Sequence, residues 1–473
     1  MTALPYQFAK DHRIVVTEVC DDRAVARVQT GASPDALAEA RRFVGLPLVA
    51  ELVSVEAFEQ TLAATYTGGG AVRQYSEALQ ADTTLDALMQ EVPRVQDLLE
   101  LDDQAPVIRL INGLLAQALR DGASDIHLEA FESKSTVRFR SDGLLHDVLT
   151  PPRALHAALV SRIKIMAELD IAEKRLPQDG RIALKVAGRT ADVRVSTLPT
   201  GHGERVVLRL LDKDAARLDL AALGMPEDIV SAFDACIRQP HGLVLVTGPT
   251  GSGKTTTLYA ALRRLDTARL NIMTVEDPVE YDLEGIGQTQ VNSRIDMTFA
   301  RALRAILRQD PDVVMVGEIR DRETADTAVQ ASLTGHLVLA TLHTNDSASA
   351  VTRLVDMGVQ PFLIASSLLA VLAQRLVRCL CPACAPDTPL RNPIFTPTGC
   401  DTCHGTGYRG RAGIYELMTL DATARAMVHG GTSEQTLRQH ATHLGMRSLR
   451  DDGLRWVDAG RTTMHEVLRA TMD

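Results

Sequence analysis

Residues 243–264 read LVLVTGPTGSGKTTTLYAALRR. The short apolar run Leu243–Val246 has the character of a buried strand, and the stretch Thr256 to Arg264 that of a helix. Between them, Gly248-Pro249-Thr250-Gly251-Ser252-Gly253-Lys254-Thr255 satisfies G-x-x-x-x-G-K-[ST] in full, in the strand–loop–helix setting that gives the motif its meaning. The glycines let backbone N–H groups converge on phosphate oxygens, and the helix start adds its positive dipole end. Lys254 is expected to reach the β- and γ-phosphates of ATP, and the Thr255 hydroxyl to ligate Mg²⁺, with Thr256 beside it.

Outward from this loop the same grammar repeats. Ile272–Val275, Val313–Val316 and Leu337–Thr341 are further apolar runs separated by helical stretches, which predicts a mainly parallel sheet covered on both faces. Such sheets bind ligands at the carboxyl ends of their strands. Glu318 follows one run there and is a candidate to orient or deprotonate an attacking water; the bland alternative is an acid that caps the next helix together with Asp321 and Glu323. Glu276, Asp277 and Glu280 follow another run, and His343 a third. For each of these a loop-fixing hydrogen bond competes with a direct role, and His336, at the start of its strand, is more ambiguous still.

Two arginine groups lie outside the loop. Arg301, Arg304 and Arg308 share one face of a helix, by base rate a solvated one. If 191–196 and 205–211 pair as a hairpin across Pro199 to Gly203, Arg194 and Arg209 face the same side, with Asp192 as a ready partner. Five of the seven cysteines crowd into one stretch. Cys381-x-x-Cys384 and Cys400-x-x-Cys403 have the spacing of a closed four-thiolate Zn²⁺ site, with Cys379 as a spare thiol nearby.

The 473 residues call for about three domains. We divide the chain into a small mixed domain over 1–66, a linker over 67–104 with Gly68-Gly69-Gly70, an α+β domain over 105–214 and an α/β domain over 215–473 that contains a zinc-binding subdomain at 379–407. Turns are expected at Ser141-Asp142-Gly143 and Gln178-Asp179-Gly180, and after Cys403 helices are expected to the end. Sixty acidic against fifty basic side chains give −10, and aromatics are 4%, which disfavours nucleic acid as partner. Neither a spanning segment nor a secretory leader is read, so a cytoplasmic chain is expected.

Taken together, the segments Gly248 to Thr255, Thr274 to Glu280, Val316 to Asp321 and Thr334 to Asn345 resemble the Walker A, aspartate, Walker B and histidine boxes of secretion traffic ATPases, the type II/IV secretion NTPase superfamily. The stretches 122–127 (GASDIH), 176–182 (LPQDGRI) and 405–411 (GTGYRGR) are also typical of that family, and Ala172 to Lys213 most resembles its type II secretion branch. The resemblance implies a RecA-like P-loop NTPase domain preceded by a PAS-like α+β domain, with a zinc-ribbon insertion and a small N-terminal domain. It implies a hexameric ring hydrolysing ATP to drive pseudopilus assembly and protein export. It makes Glu318 the catalytic acid, sets Glu276, Asp277, Glu280, His336 and His343 around the nucleotide, and raises Arg194, Arg209, Arg304 and Arg308 to phosphate contacts or arginine fingers. Its implied partners are the cytoplasmic part of an inner-membrane secretion protein, held by the N-terminal domain, and an inner-membrane platform protein. A pilus-assembly ATPase, a nucleic-acid translocase and a non-catalytic scaffold remain alternatives.

Overall fold

The computed structural model describes residues 8–9, 12–19, 23–29, 33–54, 58, 61, 105–186, 189–212, 219–292, 295–385 and 397–472. The expected linker over 67–104 lies outside them, as does Cys20. Alternating burial along Ala24–Gln29 (β2) marks a strand with one face on a core. It pairs antiparallel with Ile14–Val19 (β1) and parallel with Leu48–Val53 (β3), and Pro34–Val44 (α1) covers the buried face with Ala36, Ala40 and Val44.

A second sheet of six antiparallel strands follows. Its strands are Asp125–Ala130 (β4), Ser135–Ser141 (β5), Leu144–Leu149 (β6), Gln178–Val186 (β7), Arg189–Thr200 (β8) and Gly203–Asp212 (β9), in the order β6-β5-β4-β9-β8-β7. Ala105–Arg120 (α2) and His156–Met166 (α3) bury one face through residues such as Leu110, Leu114, Phe139, Leu159 and Leu208. The other face is a lattice of opposite charges. Arg138 and Arg205 hold Glu129 at 2.6 and 2.7 Å, and Arg209 holds Asp125 at 2.9 Å. The Asp142-Gly143 dipeptide makes the β5–β6 turn, with φ 50° and 85°, the positive pair a tight hairpin turn needs. Two expected turns shrink. Gln178, Asp179 and Gly180 stand within β7, and β8 and β9 pair as far as Thr200 and Gly203.

The third sheet has seven strands in the order β12-β11-β13-β14-β10-β15-β16: Gly242–Thr247 (β10), Ile272–Glu276 (β11), Gly287–Gln290 (β12), Val313–Val316 (β13), Leu337–Leu342 (β14), Leu368–Leu380 (β15) and Tyr408–Thr419 (β16). All neighbours are parallel except β15 and β16. Glu227–Ile237 (α4) and Lys254–Leu262 (α5) cover one face. Phe299–Ile306 (α6), Arg322–Leu333 (α7), Ser347–Asp356 (α8) and Pro361–Ser367 (α9) cover the other, joined by Ala422–His429 (α10) and Glu434–His443 (α11). The wholly buried β10 and β14 explain why their sequences are apolar without alternation.

Two features depart from the sequence reading. The longest mostly apolar run of the sequence, Phe362–Ala373, which is too short to span a membrane, is not one element: α9 ends at Ser367 and β15 begins at Leu368. After Cys403 the chain forms β16 before Leu449–Asp458 (α12) and Met464–Thr471 (α13). β15 and β16 make a long antiparallel ladder from Ala370↔Thr419 to Leu380↔Tyr408, and the cysteines sit at its tip. The buried Glu466 clamps that ladder to α13 through Arg378 at 2.7 Å and through Arg469, and these guanidinium partners hold its carboxyl down at about 2 against the opposing effect of burial.

Candidate nucleotide site and cysteine cluster

The carboxyl ends of β10, β13 and β14 lie side by side, so the loops that leave them meet at one pole of the sheet. Thr247, the last residue of β10, ties two of these loops, its Oγ1 lying 2.6 Å from Thr344 Oγ1. Gly248, Gly251 and Gly253 then turn the chain with φ of 152°, 81° and 89°. A Cβ on Gly248 would meet the backbone oxygen of Gln374 at 2.5 Å, so this glycine answers a close approach as well as a dihedral. We expect Gly248→Ala to lower nucleotide affinity at least ~10-fold, because the loop must shift to admit the methyl; equilibrium binding of a fluorescent nucleotide measures it. Pro249, Thr250 and Gly251 form the exposed lip, and Ser252 Oγ is buried with no hydrogen-bond partner among the described residues.

Lys254 opens α5 and is buried at 8% exposure, its Nζ donating to the carbonyls of Gly248 at 2.7 Å and Pro249 at 3.0 Å. Burial presses its pKa down to about 8; Glu318 opposes that and Arg375 adds to it. Glu318 lies two residues beyond β13, paired with Arg320 and 3.4 Å from Nε2 of His343. Burial, and then the charge of Lys254, push His343 toward the neutral imidazole. The helix-capping role belongs to Asp321, whose side chain accepts from Thr324 N, and Glu318 is turned to the pole. Sequence reasoning missed Arg320; its one signal is the spacing of two from Glu318, which puts both on one side of extended chain.

Other candidates scatter. Glu276 is 3% exposed, bonded to Tyr259 and to Nε2 of Gln288 at 3.1 Å, so it braces the inner side of α5 instead of lining the loop. Asp277 is exposed at the end of the same strand, its charge acting on Arg320. Glu280 lies 3.0 Å from Arg194, which also donates to Val279 O at 2.6 Å. His336 is at the opposite pole: its carbonyl accepts from Gly242 N at the start of β10, a strand length of ~20 Å from the loop. A direct contact with a nucleotide held in the same chain's loop is therefore outside its reach. Arg304 pairs with Glu323 at 2.6 Å and Arg308 donates to Arg304 O at 2.9 Å, both on an exposed surface. Arg194 and Arg209 are direct cross-strand neighbours, a repulsive pairing relieved by Glu280 and Asp125 on either side.

The donor set at the pole suits Mg·ATP: converging N–H groups, an orphaned buried hydroxyl at Ser252, a lysine, and hard oxygen donors at Thr255 and Glu318. The cysteines suit zinc. The Sγ atoms of Cys381, Cys384, Cys400 and Cys403 all lie within 4.8 Å of one another, with near pairs at 3.8 and 3.9 Å. Four thiolates ~2.3 Å from one tetrahedral ion stand about that far apart. Backbone N–H groups of Cys400 and Gly407 donate to Cys403 Sγ at 3.1 Å each, and lower its pKa against the opposing effect of burial. Cys379 is not in the cluster, and burial pushes its thiol up.

Comparison with known proteins agrees with this geometry. The family model "Type II/IV secretion system protein" matches residues 100–469, and a model for the N-terminal domain of "GSPII protein E" matches residues 3–66. The chain is 60% identical over 473 residues to type II secretion system protein HxcR of Pseudomonas aeruginosa, covering 100% of both chains. It is 52% identical to type II secretion system ATPase E of Vibrio cholerae, covering 99% of this chain and 97% of that one. Among solved structures, the pilus retraction motor PilT with bound ADP superposes with a TM-score of 0.54 at 27% identity, covering 76% of this chain and 96% of that one. The Legionella pneumophila ATPase DotB, at 19% identity, TM-score 0.58 and coverage of 80% and 97%, shares the fold. With one family model spanning most of its length and a type II secretion protein matching it end to end, the chain belongs to the type II/IV secretion system protein family and is an ATP hydrolase.

Proposed function

We propose that this protein is the ATPase motor of a type II secretion machine, converting ATP hydrolysis into pseudopilus assembly and protein export. The observation that carries the reading is the meeting of Lys254, Glu318 and His343 at one pole of a parallel sheet, in a chain matched end to end by a type II secretion protein. Lys254 binds the β- and γ-phosphates, and Glu318 orients the attacking water and takes its proton, steadied by Arg320 and the neutral His343. Mg²⁺, when bound by Thr255, neutralises phosphate charge. Arg194, with its partner Glu280, and Arg209 present a second polar face to the nucleotide. Arg304, exposed on α6, and Arg308, exposed just past its end, suit contacts supplied to a neighbouring subunit. We assign a homo-oligomer, a hexameric ring, working at the cytoplasmic side of the inner membrane. Its N-terminal domain would hold the cytoplasmic part of an inner-membrane secretion protein, and the motor would act on a membrane platform protein. No described helix is long and apolar enough to cross a membrane, so recruitment through partners is the reading adopted.

The test is an ATPase assay on purified protein, alone and with that partner's cytoplasmic domain plus acidic phospholipid vesicles. Turnover should rise with the partner and lipid. Lys254→Ala should lower turnover at least ~10²-fold through lost phosphate binding. Stimulation by DNA or RNA alone would overturn the assignment in favour of a translocase.

A further inference from the structure

The charged face of the six-stranded sheet contains one continuous cross-strand row. Arg140 on β5 faces Asp125 on β4, Asp125 faces Arg209 on β9, Arg209 faces Arg194 on β8, and Arg194 faces Arg181 on β7. Five strands at ~4.8 Å make this row ~19 Å long. One end is pinned to the ATPase domain, with Arg194 on Glu280 at 3.0 Å and Arg181 on Gln290 Oε1 at 3.2 Å. The other end is also pinned, and to a different part of the molecule. Two residues past Arg140, the turn residue Asp142 accepts a hydrogen bond from Gly410 N at 2.7 Å and lies 3.5 Å from Arg411 Nε. Beside it the ring of His146 stacks on that of His404 at 5.0 Å and 17°, and His404 lies 3.8 Å from Asp121. Gly410 and Arg411 lie near the start of β16, at the tip of the ladder beside the cysteine cluster, and His404 belongs to the cysteine segment itself. His404 directly follows Cys403, with φ 49°.

The cluster is in turn joined to the phosphate loop along one strand. β15 runs without a break from Gln374, whose carbonyl packs against Gly248, to Leu380 beside Cys381. The sheet, the cysteine segment and β15 therefore close a mechanical loop around the joint between the two domains. We propose that Asp142 is a positioning residue for ATP hydrolysis: it anchors the α+β domain on the ladder tip beside the cysteine cluster, and so fixes where the arginine row meets the nucleotide. This rests on the reading above that Arg194 and Arg209 serve the nucleotide. It gives the cysteine cluster a role in turnover without contact with ATP.

Asp142→Gly is the clean variant, because glycine adopts the positive φ of 50° without strain and keeps a two-residue turn while removing the carboxylate. With the full chain in its assembled form, we expect zinc content unchanged, kcat lowered roughly 10-fold and KM for ATP within about 2-fold, the pattern of a lost transition-state interaction. Asp142→Asn keeps an acceptor for Gly410 N and tolerates positive φ, so it should recover most of the rate. Hydrogen exchange should rise at 141–146 in Asp142→Gly, and equally in wild type after zinc chelation. Chelation should also lower wild-type kcat but add little further loss to Asp142→Gly, since both break one connection. Unchanged kcat and exchange in Asp142→Gly, or losses that multiply with chelation, overturn the proposal. Arg194→Ala separates the two readings. If it leaves turnover intact, the arginine face is not used; if it lowers kcat while Asp142→Gly does not, the anchor alone fails.

Discussion

Glu318→Gln is expected to keep nucleotide affinity within a few-fold and to lower kcat by ~10²–10⁴, the range that a positioned acid–base group contributes. The two side chains have the same shape, so the contacts around β13 survive the change. Binding rests on the glycine loop and on Lys254, whose Nζ is held by loop carbonyls and not by Glu318. What disappears is the one carboxylate, among the described residues, that pairs with both Arg320 and His343. Loss of its charge also removes the influence that holds the proton on the buried Lys254, so the lysine pKa moves further down. The variant should therefore lose nucleotide binding at a lower alkaline pH than wild type does, because a neutral lysine no longer pairs with phosphate. A titration of affinity against pH, alongside single-turnover hydrolysis, separates this effect from the loss of the base. Turnover at the wild-type rate would unseat Glu318, and the role would pass to a group outside this pole.

The phosphate loop and its sheet were legible because their signals are local. A buried parallel strand is a short apolar run, and β10, β11, β13 and β14 fall where such runs predict them. The β15–β16 ladder was not legible. The apolar stretch that begins at Phe362 carries no mark where helix becomes strand at Leu368. Gly410 and Gly413 within β16, and Gly407 just before it, argue against a strand. Gly413 is required because a Cβ there would strike the hydroxyl end of the Tyr415 ring two residues on, which lies back over it to donate to Leu223 O at 3.1 Å, and only that last contact is invisible in the local sequence. His336 shows the opposite failure. Strand polarity alone puts residue 343 at the loop's pole and residue 336 at the far one, and the motif resemblance drew both to the nucleotide. Of the adjacent pair Glu276 and Asp277, both expected around the nucleotide, alternation turns Asp277 outward and Glu276 into the core.

Zinc removal should have the largest effect on local structure. Cys403→Ser, or treatment with a strong chelator, is expected to release about one zinc per chain and to expose the cysteine segment to proteolysis, because structural zinc sites carry binding free energies of ~10–16 kcal/mol that are spent on folding. Apart from the contacts of His404 with His146 and Asp121, the described part of the segment is one turn at 401–403 and loops through Gly399, Gly405 and Gly407 at positive φ. The damage should reach the tip of the ladder, where Gly410 and Arg411 meet Asp142, and stop deeper in it, where Val377 packs with Ile414 in a core of its own. Thermal melting of the ATPase core should therefore move far less than the proteolytic pattern. Cys379→Ser should keep its zinc, since that thiol stands outside the group of four. Acidification should release the metal, because each ligand must give up a proton to bind. Metal analysis of wild type prepared without chelators decides the matter: no zinc there, or zinc retained in Cys403→Ser with the proteolytic pattern unchanged, removes the assignment.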